Sequence, residues 1–285
     1  MTEASQRADA FSDLEVDLLL EAIYARWQHD FRQYARASLR RRLDQAMSEL
    51  GCASLSMLQH RVLHDDGVIG RLLPFLTVGV SELFRDPPFY RALRQTVVPV
   101  LATYPSLKVW VAGCATGEEV YSLAILFAEE GLLDRTIFYA TDIDGHALRV
   151  AESGVYPVER AAQMSQAYQH AGGRASLADY YTAAYGKVGF DRRLRKNVVF
   201  SDHSLATDHV FAEVQLVTCR NVLIYFDRAL QDRAVGLFAE ALVRNGFLAL
   251  GSGESLMFTP QREAFRELDR QWRIYQKTLA KEREP

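Results

Sequence analysis

The sequence predicts an open α/β sheet with helices on both faces, preceded by a small all-α unit. Three observations carry this. Between Lys108 and Ser153, short apolar runs alternate with helical stretches in the order β-α-β-α, the pattern of an open, mostly parallel sheet. Residues 14–76 carry only the 3.6-residue apolar period of helices. Residues 156–200 interrupt the alternation, which then resumes.

Each element has its own signal. Residues 1–13 are polar and are expected to fray. Leu14, Leu18, Leu19, Ala22, Ile23 and Trp27 fall on one helical face. A second helix is expected from Phe31 to Leu50, ended by Gly51. A third opens with a Ser54 cap and runs to His64, and a fourth runs from Gly67 to Phe75. These form a first domain over 1–76. Asp86-Pro87 reads as a helix start, with Asp as cap and Pro at the first helical position, running to about Leu101.

Lys108–Gly113 then reads as a buried parallel strand, followed by a helix over Val120–Glu130. Thr136–Asp142 reads as a second strand ending in an acid, and Asp144 opens a helix to Ser153. The insert over 156–200 contains Gly172-Gly173, clustered tyrosines and a basic run. It is expected to be part helical and part short antiparallel strands. Beyond it come strands at Asn197–Phe200, Val214–Thr218 and Gly246–Gly251, a helix over Asp227–Leu242, and a last antiparallel strand at Trp272–Thr278. The second domain therefore runs over 77–285.

The chain has 285 residues, 49% hydrophobic and 24% charged. That is an ordinary globular composition, long enough to bury a sizeable core. Lys+Arg number 33 against 36 Asp+Glu, which argues against a general polyanion binder, so no nucleic acid is expected as partner. Cys52, Cys114 and Cys219 are far apart, without a CxxC pair. Neither a disulfide framework nor a zinc site fits, and no metal is expected. The N-terminus lacks the basic and apolar regions of a signal peptide. Apolar runs break off before the ~20 residues of a membrane helix. The expectation is a reduced, cytoplasmic, monomeric protein with no direct membrane insertion.

The first chemical motif is Gly113-Cys114-Ala115-Thr116-Gly117-Glu118-Glu119, which follows the first strand. In a doubly wound sheet, ligands bind at the carboxyl ends of strands near the switch point. Gly at such a turn permits close backbone approach. Asp142, at the end of strand two, is placed to accept hydrogen bonds from both hydroxyls of a ribose. A dinucleotide site wants G-x-G-x-x-G around a pyrophosphate. Here the third Gly is absent, and two glutamates in the first helical turn would repel phosphate. They suit the amino end of S-adenosylmethionine instead. The same segment also reads as a plain strand-turn-helix with dipole-complementing glutamates.

Four segments occur in order: Val80-Ser81-Glu82-Leu83-Phe84-Arg85-Asp86, Ala112 to Ser122, Ala140-Thr141-Asp142-Ile143-Asp144, and Cys219-Arg220-Asn221-Val222-Leu223-Ile224-Tyr225-Phe226. Together they resemble the CheR-type chemotaxis protein-glutamate O-methyltransferases over about residues 14–278. The resemblance implies an N-terminal helical domain and a Rossmann-like S-adenosylmethionine-dependent methyltransferase domain with an inserted small β-subdomain. It also implies methyl transfer to glutamate side chains of chemoreceptor cytoplasmic helices, with S-adenosylhomocysteine as product.

By matching motif, Arg85 lies against the cofactor and the target carboxylate. Ser81 holds the position of a cofactor-contacting Thr. Glu119 contacts the methionine end, with Glu118 a near alternative, and Asp142 contacts the ribose. Ser204-Leu205 pack on the adenine, Cys219 and Arg220 line the cofactor, and Tyr225 is near the transferred methyl. Many relatives carry Asn where this chain has Gly79 and Ser204, which puts affinity for the cofactor in question more than its identity.

Methyl transfer to a carboxylate needs positioning and desolvation rather than a general base. No Ser/His/Asp or Cys/His set is evident. Arg85 is the candidate to hold the target carboxylate. Tyr225 would orient the acceptor or face the methyl group, and Cys219 reads as a small core residue. Arg32, Arg36 and Arg40 fall at i, i+4 and i+8, with Arg41 and Arg42 beside them. They read either as a solvated face or as a dock for acidic receptor helices.

Three other readings compete. Asp86-Pro87-Pro88-Phe89 mimics a signature of nucleic-acid amino-methyltransferases, where it should end a strand. A non-catalytic cofactor-binding adaptor would bind S-adenosylhomocysteine without transferring a methyl group. An NAD oxidoreductase is disfavoured by the missing Gly and the paired glutamates.

Overall fold

The computed structural model of the chain describes residues 3–77, 79 and 81–278. Two units divide it: Met1–Val78 with Tyr225–Leu230, and Gly79–Ile224 with Gln231–Pro285.

The helical unit holds α1 (Glu3–Trp27), α2 (Arg36–Leu50), α3 (Leu55–His64) and α4 (Val68–Leu76). The segment expected to fray is helical from Glu3. It is rich in Ala, Glu, Gln and Arg, all good helix formers, with no Gly or Pro to stop propagation. The buried face of α1 is Val16, Leu19, Leu20 and Ile23, whereas Leu14 and Leu18, assigned above to that face, are exposed. Spacings of three, four and seven residues define both stripes, and packing decides between them.

The second helix starts five residues later than its periodicity implied. Gln28 takes φ 59 beyond the end of α1, and Tyr34 forms a β-bridge with Phe226. Ala35 N–H donates to Tyr225 O at 2.8 Å, and Asp227 N–H to Gln33 O at 2.8 Å. Residues 225–230 thus belong to the helical unit although they lie far along the chain. Gly51 closes α2 at φ 65, and the Ser54 hydroxyl caps α3 by accepting from Met57 N–H at 3.2 Å.

The arginine stripe is neutralised within this unit. Arg32 lies ahead of α2 and not on it. It pairs with Asp30 at 2.8 Å and Glu21 at 3.2 Å and stacks 3.8 Å over Tyr24. Arg36 pairs with Asp17, and Arg40 with Asp13. Asp13, Asp17 and Glu21 themselves recur every four residues on α1, so an acidic stripe meets the basic one. These pairs account for the stripe within the unit and lend no support to the reading of a dock for acidic helices.

The second unit is built on a seven-stranded sheet among the described residues. Its strands are β1 (Leu107–Ala112), β2 (Thr136–Asp142), β6 (Val198–Asp202), β7 (Val214–Cys219), β8 (Leu242–Leu250), β9 (Phe265–Asp269) and β10 (Ile274–Lys277). They lie in the order β6-β2-β1-β7-β8-β10-β9. All pairings from β6 to β8 are parallel, and β10 runs antiparallel to both its neighbours. The burial of β1 and β7 on both faces explains their near-continuous apolar sequence. The helices are α5 (Pro87–Thr96), α6 (Val98–Leu101), α7 (Glu118–Glu129), α8 (Gly145–Ser153) and α11 (Arg228–Ala241). The single helix expected to Leu101 is broken, because Pro99 cannot supply an N–H to its ladder. Strand β9 was not anticipated, since Phe265–Asp269 has two apolar residues, Phe265 and Leu268, at a spacing that does not alternate.

The insert carries β3 (Val155–Pro157), α9 (Ala161–His170), β4 (Tyr181–Ala184), β5 (Lys187–Phe190) and α10 (Arg192–Arg195). Its strands form an antiparallel sheet in the order β3-β5-β4. The buried Glu129 carboxylate at the end of α7 anchors it, accepting from the Tyr168 hydroxyl, from Arg174 N–H at 3.0 Å, and from Arg94.

Candidate functional site

The sheet reverses its strand order between β1 and β7, since the chain leaves β1 towards β2 and β6 and returns to β7 on the other side. The carboxyl ends of these two strands therefore border the crevice where such sheets take ligands. Left-handed backbone collects there: Gly113 (φ 70), Ala115 (φ 46), Gly117 (φ 92) and Asn221 (φ 61). Non-glycine residues in this region are uncommon, and they cluster at functional sites.

The turn after β1 is closed on itself. Gly113 and Cys114 N–H both donate to Thr141 O, at 2.8 and 2.9 Å, and Gly117 N–H donates to Cys114 O at 2.9 Å. Ala115 N–H donates to Asp142 Oδ2 at 2.8 Å. Four backbone amides that a pyrophosphate would need are thus already satisfied. A Cβ on Gly113 would stand 2.5 Å from Val222 Cγ2. The close approach there is by the β7 loop, which corrects the expectation that Gly113 makes room for a ligand.

Asp142 ends β2, with Oδ1 accepting from Asp144 N–H at 2.9 Å and Oδ2 from Ala115 N–H. One amide per oxygen fixes the carboxylate and leaves acceptor capacity on each. Burial pushes this carboxyl up from its ordinary value, opposed by those amides.

Glu118 and Glu119 have separate fates. Glu118 is fully buried and bonded to Arg160 at 2.8 Å and to the Thr116 hydroxyl at 2.7 Å. Glu119 keeps part of its surface and lies 3.4 Å from Arg220 Nη1. Arg220 is buried, donates to Asp86 Oδ2 at 2.8 Å and to Arg85 O at 3.1 Å, and stacks 4.0 Å over Phe89. Asp86 holds the N-cap position with Pro at the first helical position, as the sequence indicated, but its side chain makes no capping bond. Pro87 and Pro88 occupy the first two helical positions and offer no N–H, and Phe89 N–H is taken by the Asp86 carbonyl at 2.8 Å. The carboxylate turns to Arg220 instead. The same geometry removes the nucleic-acid signature reading, since Asp86-Pro87 opens a helix while β7 fills the strand slot.

Arg85 is half-buried between Phe84 (φ 51) and Asp86 (φ 57). It borders a cavity of about 70 Å³ shared with Glu82, Arg160, Gln163 and Met164. Its guanidinium has no ion pair or hydrogen bond among the described residues. Ser81 lies on the same loop, its carbonyl accepting from Arg160 Nη2 at 2.7 Å. Ser204 and Leu205 follow β6: Ser204 Oγ accepts from Ala206 N–H at 3.3 Å and Leu205 is buried. Cys219 ends β7, and burial first, then Glu254 and Glu119, hold its thiol neutral.

The structure thus brings Ser81, Arg85, Glu119, Asp142, Ser204, Leu205, Cys219 and Arg220 into one unit, whereas Tyr225 belongs to the helical unit. There the guanidinium of buried Arg42 lies 5.3 Å over the Tyr225 ring. Its Nη1 reaches Leu76 O, and its Nη2 is buried without a partner. Arg160 and Glu254 were missed by sequence reasoning, as neither sits in a motif with a fixed offset from the glycine turn.

These residues fit S-adenosylmethionine. The turn after β1 has no open cradle for phosphates, which this cofactor lacks. Asp142 retains the acceptor capacity that a ribose diol requires, and Glu119 the negative charge that an ammonium requires.

Comparison with known proteins agrees. Residues 79–274 match the family model described as CheR methyltransferase, SAM binding domain, and residues 14–77 match the CheR methyltransferase all-alpha domain. The chain is 54% identical to a Pseudomonas putida protein named as methyltransferase Cher3, over 94% of this chain and 98% of that one. It is 28% identical to a chemotaxis protein methyltransferase of Listeria monocytogenes, over 80% and 85% of the two chains. With chemotaxis protein methyltransferase 2 of Pseudomonas aeruginosa, it shares 32% identity over 64% of this chain and 65% of the relative. The chain belongs to the CheR methyltransferase family, and its α/β unit is an S-adenosylmethionine-dependent methyltransferase domain.

Proposed function

We propose that this chain methylates glutamate side chains of chemoreceptor proteins in the cytoplasm, yielding glutamate methyl esters and S-adenosylhomocysteine. The observation that carries the reading is the open guanidinium of Arg85. Its neighbours Arg160 and Arg220 are each bonded to carboxylates, whereas Arg85 has none among the described residues. A half-desolvated guanidinium with free donors favours an incoming carboxylate, which it can grip through two parallel hydrogen bonds.

The cofactor, when bound, supplies an electrophilic methyl group whose bonding pair stays on sulfur. A glutamate acceptor is already ionised near neutral pH, its free value being about 4.3, so no residue of this chain need remove a proton. Arg85 holds and orients that carboxylate. Arg220, pinned between Asp86 and Glu119, fixes the loop carrying Arg85 through its bond to the Arg85 carbonyl. Asp142 and Glu119 take the ribose and amino ends of the cofactor, while Ser81, Ser204, Leu205 and Cys219 line it. The buried thiols of Cys114 and Cys219 take no part. Among the described residues no helix is long and apolar enough to cross a membrane, which accords with action on the cytoplasmic helices of a receptor.

The test is transfer of labelled methyl from S-adenosylmethionine to receptor cytoplasmic fragments, followed by alkaline release as methanol. Arg85→Ala is expected to lower kcat/KM for the receptor about 100-fold, the loss of ~2.7 kcal/mol of transition-state stabilisation. Arg85→Lys should recover part of it. Alkali-stable label would exclude a carboxyl ester. Tight S-adenosylhomocysteine binding with no transfer to any receptor would favour the adaptor reading.

A further inference from the structure

The segment after β8, Gly251-Ser252-Gly253-Glu254, bears no residue assigned to the cofactor or the acceptor. Yet Glu254 is buried at 5% exposure, and its carboxylate is surrounded by backbone amides. Oε2 accepts from Gly251 N–H at 2.5 Å and from Asn221 N–H at 3.1 Å, and Oε1 accepts from Val222 N–H at 2.9 Å. Successive amides converging on one anion form a nest, here filled by the chain's own side chain. Two of the three belong to the loop directly after Arg220, at its left-handed residue Asn221 (φ 61). The two loops meet so closely that a Cβ on Gly251 would stand 2.8 Å from both Asn221 N and Glu254 Oε2.

The left-handed turn at Asn221 is a conformation that a non-glycine residue keeps only when its surroundings over-determine it. Its own side chain does not do so, because Asn221 Oδ1 is buried without a hydrogen-bond partner. Glu254 does, by holding the N–H groups on both sides of the Asn221 α-carbon, those of Asn221 and Val222. Arg220 is the residue before this turn, and it reaches Asp86, Glu119 and the Arg85 carbonyl. Val222 occupies the space beside Gly113.

We propose that Glu254 is a positioning residue for methyl transfer, its carboxylate fixing the Arg220–Val222 loop so that Arg220 and, through it, the Arg85 loop are set for cofactor and acceptor. The proposal rests on the placement of the Arg220 loop at the cofactor site. Glutamine in place of Glu254 keeps the size of the side chain but replaces one acceptor oxygen with a donor that faces N–H groups.

The test compares the full-length wild type with Glu254→Gln, Glu254→Ala, Arg220→Ala and the control Glu129→Gln. Glu129 is a buried carboxylate that serves the insert and not the Arg220 loop. Tm, S-adenosylhomocysteine affinity by calorimetry, and kcat with the KM for each substrate are read at a temperature where all variants are folded. Glu254→Gln is expected to weaken S-adenosylhomocysteine about tenfold and to lower kcat. Glu129→Gln should lower Tm to a comparable degree while leaving that affinity within about twofold. Glu254→Ala should be at least as impaired as the Gln variant. Wild-type affinity and kcat in Glu254→Gln, with loss in Arg220→Ala, would overturn the positioning role alone. Unchanged values in both would overturn the placement of the loop as well. Equal losses in Glu254→Gln and Glu129→Gln at equal Tm would reduce Glu254 to a structural residue.

Discussion

Arg220 and Asp86 are joined at 2.8 Å across two loops, each of which carries left-handed backbone. Arg220 is almost wholly buried while Asp86 retains about a third of its surface. The pair is the link between the loop after β7 and the loop that holds Arg85. Replacing one partner leaves a buried guanidinium short of an acceptor. Asp86→Ala, which removes the acceptor, is expected to cost ~1–3 kcal/mol of stability, the usual penalty for stranding a buried polar group. Denaturant unfolding measures it. An unchanged midpoint would show that Glu119 and the Arg85 carbonyl suffice to hold Arg220.

Gly113 tests the approach of the two central turns. Alanine there meets φ 70 and places its Cβ 2.5 Å from Val222 Cγ2. Left-handed backbone alone costs an alanine roughly 1–2 kcal/mol, and displacement of Val222 adds to it. Gly113→Ala is therefore expected to destabilise by ~2–4 kcal/mol. The double variant with Val222→Ala should recover the steric part and not the backbone part. A double-mutant cycle separates them, and strict additivity of the two changes would refute direct contact.

Glu129 gives the insert an acid-dependent anchor. Burial pushes its carboxyl up, but hydrogen bonds from Tyr168, Arg174 N–H and Arg94 outweigh burial and hold it below the ordinary 4.5. A depressed folded value means that the contribution is fully present above the unfolded value. It is lost as pH falls through the folded one. Tm measured from pH 6 down to pH 3 should fall more steeply in the wild type than in Glu129→Gln. Parallel curves would show that the anchor does not titrate in this range.

The family resemblance sets Asn at the positions that Gly79 and Ser204 occupy in this chain. A Cβ at Gly79 meets nothing within 4 Å, so Asn fits there without repacking. Ser204 spends its hydroxyl on Ala206 N–H. Gly79→Asn and Ser204→Asn are each expected to tighten S-adenosylhomocysteine about two- to tenfold, the worth of one added hydrogen bond. Calorimetry decides, and a weaker or unchanged Kd in both would mean that neither position faces the cofactor.

Much of the architecture was legible in the residues because its signals are local. Thr136–Asp142 was bounded correctly by a β-branched and aromatic run that ends on an acid. Ser54 caps the helix it was expected to cap, and Asp144, expected only to open a helix, caps that helix as well, since a short side chain and free N–H groups are all that a cap needs. The glycine turn favoured S-adenosylmethionine over a dinucleotide through its missing third Gly and its two glutamates together, although Glu118 proves to be paired with Arg160. Where local rules failed, a second residue from far along the chain had intervened. Asp86 has the right neighbours for a cap, but it faces prolines and a buried Arg220.

The sequence by itself determined the order of elements, the methyltransferase sheet with its helical N-terminal unit, and the residue types at the strand ends. Periodicity and turn chemistry act over a few residues and survive without tertiary context. Only the tertiary structure decided which charges meet. It matched Asp13, Asp17 and Glu21 to the arginine stripe, drew residues 225–230 into the helical unit, and enclosed Glu254 in the amides of a distant loop. It also left Arg85 without a carboxylate of its own among the described residues. Pairing between groups a hundred residues apart depends on burial and distance, which a one-dimensional pattern does not encode.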